Sequence, residues 1–319
     1  MTVTRLVRIS ITVADPATAA AFYRDRLGLA VGPAQATADP AWNSLLGLAP
    51  GTTAHAIEVA IGRQIVELVA FDPPGAPYPA QRASNDPWFQ HLALVCGDIA
   101  AVWEHLRGGP HGTITAGAPV LLPPNTGSVT AFKFRDPEGH PLELISFPEG
   151  VGAPVWHRTP GPPGLLGFDH TAICAADVDR SIAFYTERLG LRVAGRSLNR
   201  GPEQDRLDGL TDCAVDVVAL APATDPTPHV ELLHYRSPRG RVPAEDIRAT
   251  DVASVRQVHA VDDLDALVRQ LHRHGVRFVS PGVVTFTSGR RAAAIRDPDG
   301  HVIILAAADR TESGSAIDR

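Results

Sequence analysis

The stretch RDPEGHPLEL, Arg135–Leu144, returns near the end of the chain as RDPDGHVIIL, Arg296–Leu305, with one chemically important change: Ile304 stands where Glu143 stood. A second pair, AFYRDRLGL from Ala21 and AFYTERLGL from Ala183, recurs at almost the same step along the chain. Two unrelated segments repeating at one spacing imply a duplication of about half the chain. The stretch between the copies, PEGVGAPVWHRTPGPPGLLG, Pro148–Gly167, is rich in Pro and Gly and suits an exposed seam. The expected organisation is an N-terminal domain over 1–148, a linker over 149–166, a C-terminal domain over 167–310 and a tail over 311–319.

Each half divides again. LVRISITVADPATAAAFY, FQHLALVCGDIAAVWEHL, FDHTAICAADVDRSIAFY and VRQVHAVDDLDALVRQL share one plan: an alternating strand, an acidic residue placed to cap a helix, and a helical run. Asp15 followed by Pro16 illustrates the cap, because Asp accepts the free helix N–H groups and Pro is pre-set for the first turn. With further short strands after each helix, the chain reads as an α+β protein of four βαβββ modules.

A chain of 319 residues, 44% apolar and 20% charged, can bury a substantial core. The formal charge of −6 is spread without any basic run that could track phosphates, which argues against nucleic acid and membrane as partners. A small-molecule substrate is expected instead, bound by a monomer or homodimer. No apolar run has bilayer length and the N-terminal residues lack signal-peptide organisation, so a cytoplasmic location is expected. Cys96, Cys174 and Cys213 lie far apart without CxxC spacing and read as small buried hydrophobes. Lys133 is the only lysine.

The polar residues can be compared module by module. Seven residues before each capping acid, the first strands carry Arg8, His91, His170 and Arg256. The fourth strands carry Glu67, Glu143, Glu231 and Ile304. Only the two middle modules combine His with Glu.

This pattern, with its FYxxxLGL helices and DPxGHxxEL hairpins, resembles the vicinal oxygen chelate (glyoxalase/bleomycin resistance/dioxygenase) superfamily. The resemblance spans nearly the whole chain outside the linker and tail. It implies two glyoxalase-like domains, half-open barrels made by pairs of modules, and a divalent ion held by first-strand His and fourth-strand Glu from two modules. Pairing within each half, as in extradiol dioxygenases, would give the C-terminal half His170, Arg256, Glu231 and Ile304, which is no metal site. Pairing across the halves, as in single-chain glyoxalase I, would gather His91, Glu143, His170 and Glu231 in one site and Arg8, Glu67, Arg256 and Ile304 in the other. One site would then be live and its twin decayed, with Ile304 apolar because an unpaired buried carboxylate is costly.

Imidazole and carboxylate suit Zn, Ni, Co, Mn or Fe, and strand alternation aims one polar side chain inward among apolar neighbours in PLELISF and HVELLHY. One ion per chain is expected. Counting a Gly bulge in the RDPEGH turn sets Lys133 opposite Glu143 on the same face, a place that in fosfomycin resistance proteins contributes to substrate binding. Ser197–Leu210 should overhang the site, with Asn199, Gln204 and Arg206 as candidate substrate contacts. His140 and His301 belong to the turns and are expected to bond locally; His105, His111, His157, His272 and His274 read as surface groups.

Two carboxylates at one ion suit an isomerase or epimerase that moves a proton α to a carbonyl. The resemblance implies Glu143 as base, because it holds the position that acts so in glyoxalase I, with Glu231 returning the proton and Lys133 assisting. An extradiol-type dioxygenase, which needs two His and one carboxylate with open positions, is one alternative. A metal-free small-molecule binding or resistance protein is the other.

Overall fold

The computed structural model describes residues 2–37, 39–157, 164–241 and 246–308. Residues 158–163 of the linker and the whole tail 311–319 lie outside them. The first module runs β1 (Val3–Thr12), α1 (Pro16–Leu27), β2 (Ala30–Val31), β3 (Gln35–Thr37), α2 (Ala41–Leu46), β4 (Thr53–Ile61) and β5 (Gln64–Asp72). The second comprises β6 (Gln90–Cys96), α3 (Ile99–Arg107), β7 (Gly112–Thr113), β8 (Val120–Leu121), β9 (Thr130–Arg135) and β10 (Pro141–Ser146). In the third follow β11 (Leu165–Cys174), α4 (Val178–Ala183), β12 (Arg192–Arg200), α5 (Pro202–Asp208), β13 (Ala214–Ala221) and β14 (His229–Ser237). The fourth has β15 (Val255–Val261), α6 (Leu264–Arg273), β16 (Val284–Thr285), β17 (Arg291–Arg296) and β18 (Val302–Ala307).

Each module's first helix starts where the acidic residue predicts. Asp15, Asp98, Asp177 and Asp263 are all in extended conformation, and their carboxylates accept from Ala17, Ala101, Arg180 and Ala266 N–H. These bonds satisfy donors that have no partner inside the helix. α1 ends at Gly28, whose φ of 66° is the left-handed conformation that glycine adopts without a Cβ penalty.

Strand order settles how the modules combine. One sheet runs β12-β13-β14-β11-β6-β10-β9-β7 and the other β16-β17-β18-β15-β1-β5-β4-β2. Module 2 therefore continues into module 3, and module 1 into module 4, through antiparallel pairs of first strands, β6 with β11 and β1 with β15. Inside every module the first and last strands run parallel in one register: Ser10 faces Glu67, Ala93 Glu143, Ala172 Glu231 and Val258 Ile304. The compared positions are thus equivalent in space as well as in sequence.

The other faces of the sheets pack within each half. One core joins Ile9, Phe22 and Tyr23 of module 1 to Leu94, Leu106 and Phe134 of module 2; another joins Ile173 and Tyr185 of module 3 to Leu267 and Ile303 of module 4. The repeated motifs meet there. The Tyr23 hydroxyl donates to Asp136 at 3.5 Å and that of Tyr185 to Asp297 at 3.1 Å. His140 Nε2 donates to the carbonyls of Thr12 and Val252, and His301 Nε2 to that of Cys174. The DPxGH turn is a clasp between modules: its histidines make the local bonds expected of them, His140 through Nδ1 and N–H to Asp136 and His301 through N–H to Asp297, and their Nε2 atoms reach the neighbouring modules as well. This explains why the turn persists in the copy that lost the carboxylate.

Candidate metal centre and substrate cleft

The RDPEGH turn has the expected geometry: Gly139 takes a φ of 108°, Asp136 N–H donates to the His140 carbonyl, and Glu143 pairs with Lys133 across β9 and β10. Neighbouring first strands then bring the two histidines together, with imidazole rings 5.7 Å apart. His91 Nε2 donates to Glu143 Oε2 at 2.9 Å. His170 Nε2 lies 3.6 Å from the same carboxylate oxygen and 3.4 Å from Glu231 Oε2. His91, Glu143 and His170 offer donor atoms that all lie within 4.8 Å of one another; Glu231, the fourth expected ligand, is not part of that group but lies 3.4 Å from His170 Nε2. Separations of this size suit nitrogen and oxygen ligands about 2.0–2.2 Å from one shared ion.

Electrostatics within the cluster are strong. Burial alone would push Glu143 up, but His91, Lys133 and His170 outweigh it and hold the carboxyl well below the usual range. Burial likewise opposes the charged form of His170, yet Glu231, Asp169 and Glu143 raise its pKa well above that of a free imidazole. For His91, burial and the Lys133 charge prevail over Glu143, and the pKa falls. Burial would raise Glu231, but His170 and His229 lower it. A group that gathers carboxylates around paired imidazoles holds the charge pattern a divalent cation requires.

These residues line a cavity of about 270 Å³. Leu122, Val129, Ile145, Phe147 and Val217 give it an apolar wall, and Arg196, Ser197 and Asn199 stand on the β12 side. Of the expected substrate contacts, Asn199 and Gln204 are buried in the lining. Arg206 does not join them: it is exposed, is not part of the lining, and donates to the Ala118 carbonyl at 3.3 Å. Helix phase explains the difference, since Gln204 and Asp208 are one turn apart on one face of α5 and Arg206 falls on another.

Lys133, the other expected substrate contact, is held by a side chain of α5. It lines the cavity, but its ammonium donates to Asp208 Oδ1 at 2.6 Å. Burial opposes its charge, and Asp208 and Glu143 restore it, keeping the pKa above the ordinary lysine value. The same carboxylate accepts from Gln204 at 2.7 Å and Tyr235 at 3.0 Å. The carbonyls of Arg206, Leu207 and Asp208, which the helix leaves without partners, accept from Ala116 N–H, Thr115 Oγ1 and Ser84 Oγ of module 2. α5 is thereby fixed across the boundary between modules 2 and 3.

Three polar neighbours of the cluster escaped the reading of the sequence. Asp169 accepts from His170 Nδ1 at 3.2 Å and from Trp156 Nε1 at 2.7 Å, and His229 pairs in register with His170. The signal available was the local spelling, Asp169 beside His170 and His229 two residues before Glu231. All three cysteines are free and buried, as composition suggested.

Over residues 5–144 and again over 167–305 the sequence matches the model of the Glyoxalase/Bleomycin resistance protein/Dioxygenase superfamily. The chain belongs to this superfamily. Its fold is similar to that of glyoxalase I from Zea mays, with a TM-score of 0.60 at 15% identity over 95% of this chain and 92% of the maize one. A candidate dioxygenase from Bacillus subtilis subsp. subtilis superposes with a TM-score of 0.58 at 18% identity, over 96% of this chain and 86% of that one. Among curated proteins, the uncharacterized protein YwbC of Bacillus subtilis (strain 168) is 26% identical over 139 residues, 42% of this chain and 92% of YwbC. Among the described residues, no helix is long and apolar enough to cross a membrane.

Proposed function

We propose that the chain is a metal-dependent isomerase or epimerase that moves a proton α to a carbonyl in a small oxygenated substrate, at a single centre between modules 2 and 3. One observation carries the reading: carboxylates from two modules, Glu143 and Glu231, flank the same imidazole nitrogen at 3.6 and 3.4 Å. A divalent ion held by His91, Glu143, His170 and Glu231 would supply Lewis-acid polarisation of two adjacent substrate oxygens. Glu143, ionised at neutral pH, takes the proton from the carbon, and Glu231, on the other side of His170, returns one. The apolar wall excludes water from the exchanging carbon, and Lys133, neutralised by Asp208, holds the floor of the cavity beside Glu143.

The test is to load the protein with Zn, Ni, Co, Mn or Fe and incubate it in D2O with α-hydroxy ketones, hemithioacetals, acyl thioesters and keto-cyclitols, following label by NMR beside an oxygen electrode. Deuterium next to the carbonyl without oxygen uptake is the expected result. Oxygen uptake with a catechol would instead favour a dioxygenase, and failure to retain metal would favour a metal-free binding protein.

A further inference from the structure

We infer that Asp169 is a positioning residue for the metal centre, and that with His229 and Trp156 it forms an outer shell present only on the module 3 side. The inference rests on the metal-centre reading above and concerns residues outside the ligand set.

The backbone makes this arrangement possible. Consecutive strand residues normally point to opposite faces, which would turn Asp169 away from His170. The pairing of β11 with β6 shifts register between Phe168 and His170, a bulge at Asp169 that turns its carboxylate toward the imidazole. Both oxygens are then fixed. Oδ1 accepts from Trp156, while Oδ2 accepts from His170 Nδ1 and lies 3.7 Å from His229 Nδ1. The other nitrogen of His229 lies 3.5 Å from Glu231 Oε1 without a hydrogen bond to it, so the ring sits between the Asp169 and Glu231 carboxylates.

No other module has these groups at the corresponding positions. Module 1 has Val7 and Ile65, module 2 Gln90 and Pro141, and module 4 Val255 and Val302. The bulge recurs at Val7, where β1 shifts register between Leu6 and Arg8, so the distorted backbone is shared and the carboxylate is specific to module 3. In module 2 the Gln90 amide donates to Thr171 Oγ1, and buried His91 Nδ1 has no hydrogen-bond partner. Trp156 comes from the short helix Pro154–His157, outside both segments that match the superfamily. The connecting segment therefore contributes to the centre. A carboxylate accepting from Nδ1–H fixes the imidazole tautomer and orientation, leaving Nε2 as the metal-facing donor and strengthening it as a ligand.

Zinc affinity of the full chain, measured by competition with a chromophoric chelator, tests the assignment. Asp169→Ala should weaken zinc binding by about 10–100-fold. Asp169→Asn should lose less because its amide oxygen still accepts, and Trp156→Phe least of all. A second readout is independent of affinity. Zinc-loaded protein should show one slowly exchanging downfield imidazole proton from His170, absent in Asp169→Ala and shifted upfield in Asp169→Asn. Undiminished zinc affinity in Asp169→Ala, or survival of the downfield proton, would overturn the inference. Should Asp169→Ala fail to fold, unchanged affinity in both Asp169→Asn and Trp156→Phe would overturn it equally. A parent chain that binds no zinc would sink the metal-centre reading itself, whereas equal tight binding by parent and variant sinks only the role of Asp169.

Discussion

In the barrel of modules 2 and 3, α5 turns Gln204 and Leu207 toward a cavity of about 270 Å³ and Asp208 toward Lys133. In the barrel of modules 1 and 4 the corresponding helix, α2, buries Leu45 and Leu46 in an apolar cluster with Phe71, Ala294 and Ile304, and the space left is about 20 Å³, room for roughly one water. Where the first barrel has His91 and His170, the second has Arg8, bonded to Glu58 and Glu67, and Arg256, buried and donating to Ser10, Thr12, Ser254 and the Ala249 carbonyl. Burial without a hydrogen-bonded carboxylate lowers the Arg256 pKa to about 10, so its charge survives at neutral pH. The second barrel has neither the His–Glu set nor an open cavity, yet it carries the same turn and tyrosine that clasp the modules.

The sharpest way to break this comparison is to remove one ligand at a time. His91→Ala and His170→Ala should each abolish metal retention although they sit in different halves, while Arg256→Ala should leave one equivalent bound, as elemental analysis after dialysis would show. Metal held at full affinity by either histidine variant would erase the distinction between the barrels. A subtler change is Glu143→Gln. Its amide oxygen can still coordinate but cannot accept a proton, so metal should weaken modestly while turnover falls about 10²–10⁴-fold, read as loss of deuterium exchange.

The third test makes the open barrel resemble the filled one. Lys133→Met should cost about 3–5 kcal/mol in urea unfolding because it strands Asp208 without its partner. Adding Asp208→Leu, the residue type that ends α2 at Leu46, should recover most of that loss. A double variant as unstable as the single one would mean that the ion pair is not the source of the cost.

A test that shows only on acidification concerns His259, fully buried where the other modules place Ile11, Leu94 and Ile173. Burial lowers its pKa to about 3, so the unfolded chain binds a proton that the folded chain refuses. Stability contributed by the neutral ring is present above about pH 6.5 and lost as pH falls toward 3, with a slope up to about 1.4 kcal/mol per pH unit. His259→Leu should flatten this limb of the stability–pH curve, and an unchanged slope would refute the assignment.

Much of this was legible in the sequence because repetition supplies an internal alignment. Four capping acids fixed the phase of four first strands and so located His91 and His170, and comparison of the fourth strands located Glu143 and Glu231, at positions in matching register. Features that occur only once were illegible by the same route. Asp169 depends on a bulge that places two neighbours on one face, and Asp208 meets Lys133 only because module 2 captures the end of α5. Arg206 was misplaced because the helix boundary, and so its phase, was not fixed in advance.

The salt pairing of Lys133 with Asp208 also governs what reagents can do to this protein. The chain's sole lysine is 4% exposed, so the positive charge on the surface is carried by arginine and amine-directed chemistry finds no lysine there. Acylating esters, reductive methylation and lysine crosslinkers find no lysine amine on the folded exterior. Modification of Lys133 therefore requires a reagent to enter the cavity that the residue lines and to displace its contact with Asp208.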